Sequence, residues 1–236
     1  MIAPAAKPLR VVLLGPPASG KGTQGRRLAV SLGLGYLSTG ALLREQVEAA
    51  TELGKQAQPI LARGEYLPDD LICPILADWL TQQTGGWVLD GFPRSLPQAT
   101  FLDDWLAQRE LKIDAAVSLE VPFSELVARI RGRVECPSCR WSGQREQLTP
   151  EARIHVTEGS TLEHNITTAG DCPACGQPAG PRADDSEENF RSRHAEFVSL
   201  TQPVIDHYRH LNLLSPCDAT APEDEVAARL LRLLPA

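Results

Sequence analysis

Residues 11 to 23 read Val-Val-Leu-Leu-Gly-Pro-Pro-Ala-Ser-Gly-Lys-Gly-Thr. An apolar run long enough for a buried strand passes into a glycine-rich turn, and a helix is predicted to begin near Gly20. Such a turn aims several backbone N–H groups at one spot, at the positive end of a helix, and so forms an anion site suited to polyphosphate. Lys21 adds a point charge for β and γ phosphates, and the Thr23 hydroxyl can help hold Mg²⁺. The spacing Gly15-x-x-x-x-Gly20-Lys21 fits the P-loop, with Gly22 where Ser or Thr usually follows the lysine.

Outward from this stretch, strands and helices alternate. Arg10 to Leu14 is the first predicted strand, and the helix from Gly20 ends at Gly33. A short strand follows at Gly35 to Leu37, and residues 38 to 67 read as helical with breaks at Gly54, Pro59 and Gly64. Pro68-Asp69-Asp70 opens a helix to about Gln83, its acidic residues suited to the first turn. Strands are predicted at Trp87 to Asp90 and Asp114 to Glu120, with helices at Pro97 to Gln108 and from Pro122. A long helix from Asp184 to His210, interrupted near Pro203, a short strand at Leu213-Leu214 and a helix from Pro222 to Leu234 complete the pattern. This is an α/β order, for which a parallel sheet with helices on both faces is expected. Ligands in such sheets bind beyond the carboxyl ends of the strands. The P-loop, Ser38-Thr39-Gly40 and Asp90 to Arg94 all follow strands directly, so topology alone brings three polar clusters to one edge.

The 236 residues carry a net charge of −7, with 42% hydrophobic and 22% charged residues. That is ordinary globular composition, and it argues against a general binder of nucleic acid or membrane surfaces. Met1 to Arg10 shows no signal-peptide pattern and no stretch reaches membrane-spanning length, so a cytoplasmic location is expected. Nothing in the chain requires more than a monomer. Four of the six cysteines form two Cys-x-x-Cys pairs, at Cys136/Cys139 and Cys172/Cys175. Without a secretion signal that pattern favours metal over disulfides or free thiols. Cys73 and Cys217 read as small buried hydrophobes.

Asp90, at the end of an apolar strand, is placed to sit near a Mg²⁺ shell, directly or through water. Arg44, Arg94, Arg129, Arg133, Arg182 and Arg193 lie on turns or helices near the same edge; phosphoryl transfer asks mainly for positioning and positive charge, which a planar guanidinium supplies in two places at once. Arg131, Arg191 and Arg209 read as solvated surface residues.

These residues, in this order, resemble the adenylate kinases among the nucleoside monophosphate kinases. Gly15 to Thr23 resembles the first motif of that family, and Ser38-Thr39-Gly40 with Arg44 the start of its monophosphate-binding segment. Asp90-Gly91-Phe92-Pro93-Arg94 with Gln98 resembles its most diagnostic run. Arg129-Ile-Arg-Gly-Arg133 is similar to the entry of its mobile lid, and Arg182-Ala-Asp-Asp185 with Arg193 to the exit. The resemblance implies MgATP + AMP ⇌ 2 ADP. It places a P-loop core at 1–37, 68–133 and 182–236, an AMP-binding segment at 38–67 and a lid at 134–181. Ala18, Ser19, Gly20, Lys21, Gly22 and Thr23 would hold the ATP phosphates, with Arg129 and Arg133 on ATP. Thr39, Gly40, Arg44, Gln98, the backbone of Glu65, Tyr66 and Leu67, and Gly91, Phe92, Pro93 and Arg94 would hold AMP. Arg182 and Arg193 would steady the transferring group, and Lys21, Arg94, Arg133 and Asp90 complete the catalytic set. Thr39 and Gln98 suit adenine, since an amide can pair with a donor and an acceptor together. Three departures stand out: Ala18 where Gly is frequent, Ala41 where an Asp usually follows Ser-Thr-Gly, and Ala183 where Lys is frequent.

Two Cys-x-x-Cys turns supply four thiolates, a complete tetrahedral shell, so a structural Zn²⁺ is expected and His155 and His164 read as surface residues. The gap between the pairs implies an enlarged hairpin or loop. Two rival readings are another nucleoside monophosphate kinase and a nucleotide-switched zinc module that binds nucleic acid. For the latter the insertion would be basic, yet residues 134 to 181 hold six acidic residues (Glu135, Glu146, Glu151, Glu158, Glu163, Asp171) against Arg140, Arg145 and Arg153.

Overall fold

The computed structural model describes residues 8–63, 65–148, 170–182 and 185–235. From β1 (Arg10–Leu14) the chain passes the glycine-rich turn into α1 (Lys21–Leu32), β2 (Gly35–Ser38), α2 (Thr39–Glu48), α3 (Glu52–Ala62) and α4 (Asp69–Thr81). Then come β3 (Trp87–Asp90), α5 (Leu96–Ala107), β4 (Ala115–Glu120) and α6 (Phe123–Gly132). The cysteine-bearing insertion carries β5 (Arg133–Glu135), β6 (Ser142–Gln144), β7 (Gly170–Asp171) and β8 (Pro178–Ala179). The chain returns through α7 (Glu187–Glu196), a π-helical turn at Phe197–Thr201, α8 (Gln202–His210), β9 (Leu214–Asp218) and α9 (Glu223–Leu233).

Five strands pair in the order β2-β3-β1-β4-β9, every neighbouring pair parallel. β1 is central, and its apolar run is buried because both faces of the sheet are covered. Leu76 of α4, Leu102 of α5 and Tyr208 of α8 pack with Val12 and Leu89 on one face. Leu28 of α1 and Val226 and Leu230 of α9 pack with Val11, Leu13 and Val88 on the other. The expected α/β architecture is what the chain adopts.

Several boundaries differ from the sequence reading, each for a local reason. The helical stretch after β2 breaks at 49–51 rather than at Gly54. The Thr51 side chain accepts the Gly54 N–H at 3.0 Å and starts a new helix there. Gly54 and Pro59 both lie inside α3. Gly54 serves close packing instead: a β-carbon there would sit 1.9 Å from the Gln46 carbonyl oxygen of α2. Gly64 lies outside the described residues. Pro122 caps α6 from the N-cap position rather than occupying its first turn. The long C-terminal helix is capped by Ser186, which accepts the Asn189 N–H at 3.0 Å; Asp184 lies outside the described residues. Its interruption is the π-turn just before Pro203, a wider turn that admits a residue lacking an N–H. β9 runs from Leu214 through Pro216 to Asp218, beyond the short strand expected at Leu213-Leu214. As an edge strand it tolerates a residue with no donor. Among the described residues no helix is long and apolar enough to cross a membrane.

Because the α2–α3 contact is backbone against Cα, Gly54→Ala should separate the two helices. The expected cost is about 2 kcal/mol of stability, a fall in Tm of roughly 4–8 °C, measured by thermal melting. An unchanged melting temperature would show that the contact is not tight.

Candidate active site

The strand register sets the site. Leu13 of β1 and Ser38 of β2 are both level with Asp90 of β3, so the three chain segments that follow these strands emerge side by side. They floor a cleft of about 1300 Å³ that extends to the insertion and to α7. That exceeds the few hundred to a thousand cubic ångströms usual for one small ligand, and leaves room for two nucleotide-sized molecules.

Ala18, Ser19, Gly20, Lys21, Gly22 and Thr23 line one side of the cleft. The loop is held by Ser19 N–H donating to the Pro16 carbonyl at 3.2 Å, and Gly20 O accepts the first turn of α1 at 2.9 Å. Ala18 adopts φ +65°, a left-handed conformation that costs an L-residue about 1 kcal/mol. Lys21 Nζ donates to the carbonyls of Gly15 at 2.8 Å and Pro16 at 2.9 Å. Burial lowers its pKa to about 8; Asp90 opposes the shift, while Arg94 and Arg133 add to it. The ammonium is thus held where it gains from an arriving anion.

Asp90 is 7% exposed at the cleft floor. Its carboxylate accepts the Tyr36 hydroxyl at 3.1 Å, and the same hydroxyl reaches the Gly22 carbonyl at 3.3 Å. Burial, then the Asp90 charge, pushes the Tyr36 pKa far up, so Tyr36 stays a proton donor to Asp90. Arg26 lies over the Tyr36 ring at 5.3 Å. Sequence reading treated Tyr36 only as a strand residue; its partners are 14 and 54 positions away, and no local pattern joins them.

The opposite wall carries Gly40, Arg44, Glu65, Tyr66, Gly91, Pro93 and Arg94. Arg94 is wired on every side. Its N–H donates to Gln98 Oε1 at 2.8 Å, its Nε to the Gly91 carbonyl at 2.7 Å, and its carbonyl accepts the Thr201 hydroxyl at 2.9 Å. Gly91, at φ +80°, leaves no room for a β-carbon: one would lie 2.9 Å from Arg94 Nη2. Thr39, Leu67, Phe92 and Gln98 are buried behind the wall rather than on it. Thr39 donates to the Gly91 carbonyl at 2.8 Å, and Gln98 Nε2 donates to Asp69 at 2.7 Å. In this arrangement both polar side chains act on the turn that carries Arg94.

Arg129, Arg133, Arg182 and Arg193 line the cleft between the two walls. Arg133 makes a two-pronged pair with the buried carboxylate of Asp185. Arg182 meets Glu135 at 3.2 Å, and Glu135 also lies 3.9 Å from Arg44. Arg129 donates to the Ala219 carbonyl at 2.7 Å and pairs with Glu125. Arg131, Arg191 and Arg209 are exposed and pair with surface carboxylates, as the sequence reading expected.

The family model for adenylate kinase matches residues 13–213. An adenylate kinase of Finegoldia magna is 37% identical over 94% of this chain and 97% of its own length. Those of Streptomyces coelicolor and Paracoccus denitrificans are 38% and 36% identical over 96% of this chain and 98% and 97% of theirs. The chain belongs to the adenylate kinase family. The resemblance drawn from the ordered motifs therefore holds along nearly the whole sequence.

Within this family member the insertion is built around four sulfurs. Cys136, Cys139, Cys172 and Cys175 bring their Sγ atoms within 4.8 Å of one another, with Cys136–Cys175 and Cys139–Cys172 at 3.6 Å. A tetrahedron with metal–sulfur bonds of about 2.3 Å has edges of about 3.8 Å, so the cluster is compatible with zinc, and the distances are far too long for disulfides. Each pair closes a tight turn: Arg140 N–H donates to Cys136 O at 2.9 Å and Gly176 N–H to Cys172 O at 2.8 Å. Both closing residues are left-handed, Arg140 at φ +61° and Gly176 at φ +70°. His155 and His164 lie outside the described residues, as does Ala183. Of the two remaining cysteines, Cys217 is buried and Cys73 half-buried against the core.

Arg140 leaves its turn to grip Glu48 of α2 with both Nη groups, at 3.0 and 2.6 Å. This pair ties the insertion across the mouth of the cleft. A half-exposed pair is worth about 1 kcal/mol or less, so Glu48→Gln should leave Tm within about 3 °C. Fluorescent labels on α3 and on the insertion should nonetheless report a longer and broader distance. An unchanged distance distribution would show that the pair holds nothing.

Proposed function

We infer that the chain catalyses reversible phosphoryl transfer, MgATP + AMP ⇌ 2 ADP. The observation that carries this reading is one cleft with a P-loop lysine on one wall, Arg94 and Arg44 on the other and further arginines between, in a chain similar to adenylate kinases over nearly its whole length. ATP would lie on Ala18 to Thr23 with Arg129 and Arg133. AMP would lie against Gly40, Arg44, residues 65–67 and Gly91 to Arg94, with Thr39 and Gln98 fixing that turn from behind. Residues 38–67 then form the AMP-binding segment, 134–181 the lid, and the remainder the core.

The AMP phosphate is already an anionic nucleophile, so no side-chain base is required. One of its oxygens bonds to the γ-phosphorus as the bond to the β–γ bridging oxygen breaks, leaving ADP on each side. Lys21, Arg94, Arg133, Arg182 and Arg193 supply positive charge to the three equatorial oxygens and hold donor and acceptor in line. Mg²⁺, bound with ATP, would draw charge from the β and γ phosphates. The residues present fit it: an oriented carboxylate at Asp90 and a hydroxyl at Thr23 border the same loop. With Ala41 in place of a second carboxylate, Asp90 carries more of that task. A closed lid would exclude water from the γ-phosphate.

A kinase for another monophosphate would use the same phosphate machinery, so the base is the discriminating variable. Offered MgATP with AMP, CMP, UMP and GMP in turn, the enzyme should phosphorylate AMP far faster than the rest, and faster turnover of UMP or CMP would overturn the adenylate assignment. Lys21→Ala and Arg94→Ala should each lower kcat by at least 100-fold with the melting temperature retained.

The four cysteines are proposed to hold a structural Zn²⁺. Four thiolates leave no position for water or substrate, so binding energy at the site becomes folding energy of the lid. Purified protein should contain one metal per chain by elemental analysis. Changing Cys139 and Cys175 to Ser should lower Tm and loosen the lid first, with part of the activity retained at low temperature. Metal-free wild-type protein would refute the site. A mutant with an ordered lid and no activity at any temperature would refute the structural role. The enzyme is proposed to act as a cytoplasmic monomer on ATP, AMP and ADP, and its net acidic charge argues against nucleic acid or a membrane surface as a general partner.

A further inference from the structure

The cleft arginines are not held alike. Arg133 and Arg182 rest on carboxylates, whereas the Arg94 guanidinium lies over the Tyr66 ring, 4.3 Å from its centroid. The difference matters chemically. A carboxylate occupies the in-plane N–H groups that a phosphate needs, while an aromatic face fixes the guanidinium plane and leaves the edge open. Arg94 Nε is already committed to the Gly91 carbonyl at 2.7 Å, so the two Nη groups are the ones available to substrate. Gly91 keeps space beside Nη2, since a β-carbon there would lie 2.9 Å from it. Beside Tyr66 stands Thr201, whose hydroxyl donates to the Arg94 carbonyl at 2.9 Å. Tyr66 thus meets the guanidinium of Arg94, and the π-turn holds the backbone of the same residue.

We propose that the side chain of Tyr66 is a positioning residue for the acceptor phosphate, orienting Arg94 through its aromatic face. The inference rests on the kinase reading and adds to the backbone of residues 65–67 a role for one side chain.

Steady-state kinetics on the full-length enzyme test it. Tyr66→Leu keeps bulk and removes the π-face; it should raise KM for AMP about tenfold and leave KM for ATP within twofold. Tyr66→Phe keeps the face and should stay within threefold of wild type for both substrates. In an Arg94→Lys background, where no planar group remains to be oriented, adding Tyr66→Leu should change KM for AMP by less than twofold. Melting curves accompany each variant, and the ATP value serves as an internal control for folding. Three results would each overturn the proposal: Tyr66→Leu leaving KM for AMP unchanged; Tyr66→Phe as damaging as Tyr66→Leu; or KM rising equally for both nucleotides. The kinase reading fails separately, by wild-type enzyme that phosphorylates no monophosphate. Should another monophosphate prove the better acceptor, the same shift is read on that acceptor, because the phosphate is common to all.

Discussion

Cationic groups crowd the carboxyl edge of one parallel sheet, and their mutual repulsion is the constraint that the surrounding structure answers. Repulsion is one part of what Lys21 meets: burial is the main cause that lowers its pKa to about 8, Asp90 raises it, and Arg94 and Arg133 lower it further. The fold responds in three ways. Carboxylates hold some guanidiniums, as Asp185 holds Arg133 and Glu135 meets Arg182. Carbonyl oxygens of Gly15 and Pro16 hold the Lys21 ammonium. An aromatic face holds Arg94. A site so arranged is under-neutralised until polyphosphate arrives, and the ligand's charge then supplies what the protein alone does not. This gives a physical reason for a net acidic chain, at −7, to enclose a cationic cleft.

Much of this was legible in order and spacing. Three strand ends followed by polar turns placed the site before any coordinate, because parallel strands in register bring their carboxyl ends to one level. Two Cys-x-x-Cys pairs located the sulfur cluster in the same way. Tertiary contacts stayed hidden. Gly54 looked like a helix break because its role, a close approach to Gln46 of the preceding helix, is invisible along the chain. The strand expected at Leu213-Leu214 extends to Asp218 through Pro216, because an edge position, which tolerates proline, cannot be read locally. The side-chain roles of Tyr36, expected only as a strand residue, and of Tyr66, expected to act through its backbone, were hidden because each meets its charged partner only in the fold. Thr39 and Gln98 suit adenine by their chemistry; that their hydrogen bonds also brace the turn that carries Arg94 is visible only in the fold.

The insertion joins two kinds of organisation. Its four thiols form a compact cluster, and each Cys-x-x-Cys turn closes on a left-handed residue. At Gly176 that conformation is cheap; at Arg140 it costs about 1 kcal/mol. The strained position projects a guanidinium onto Glu48 of α2. The order of the sulfur cluster and the seating of the insertion over the cleft are therefore mechanically linked, although the cysteines themselves do not line it.

The central claim is that one continuous cleft binds two nucleotides at once, phosphate to phosphate. An analogue with two adenosines joined by a polyphosphate chain tests this most directly. By isothermal titration calorimetry it should bind one per chain, far more tightly than ATP or AMP alone, compete with both, and slow proteolysis within residues 134–181. Two molecules bound per chain, competition with ATP only, or unchanged cleavage of the insertion would contradict the account.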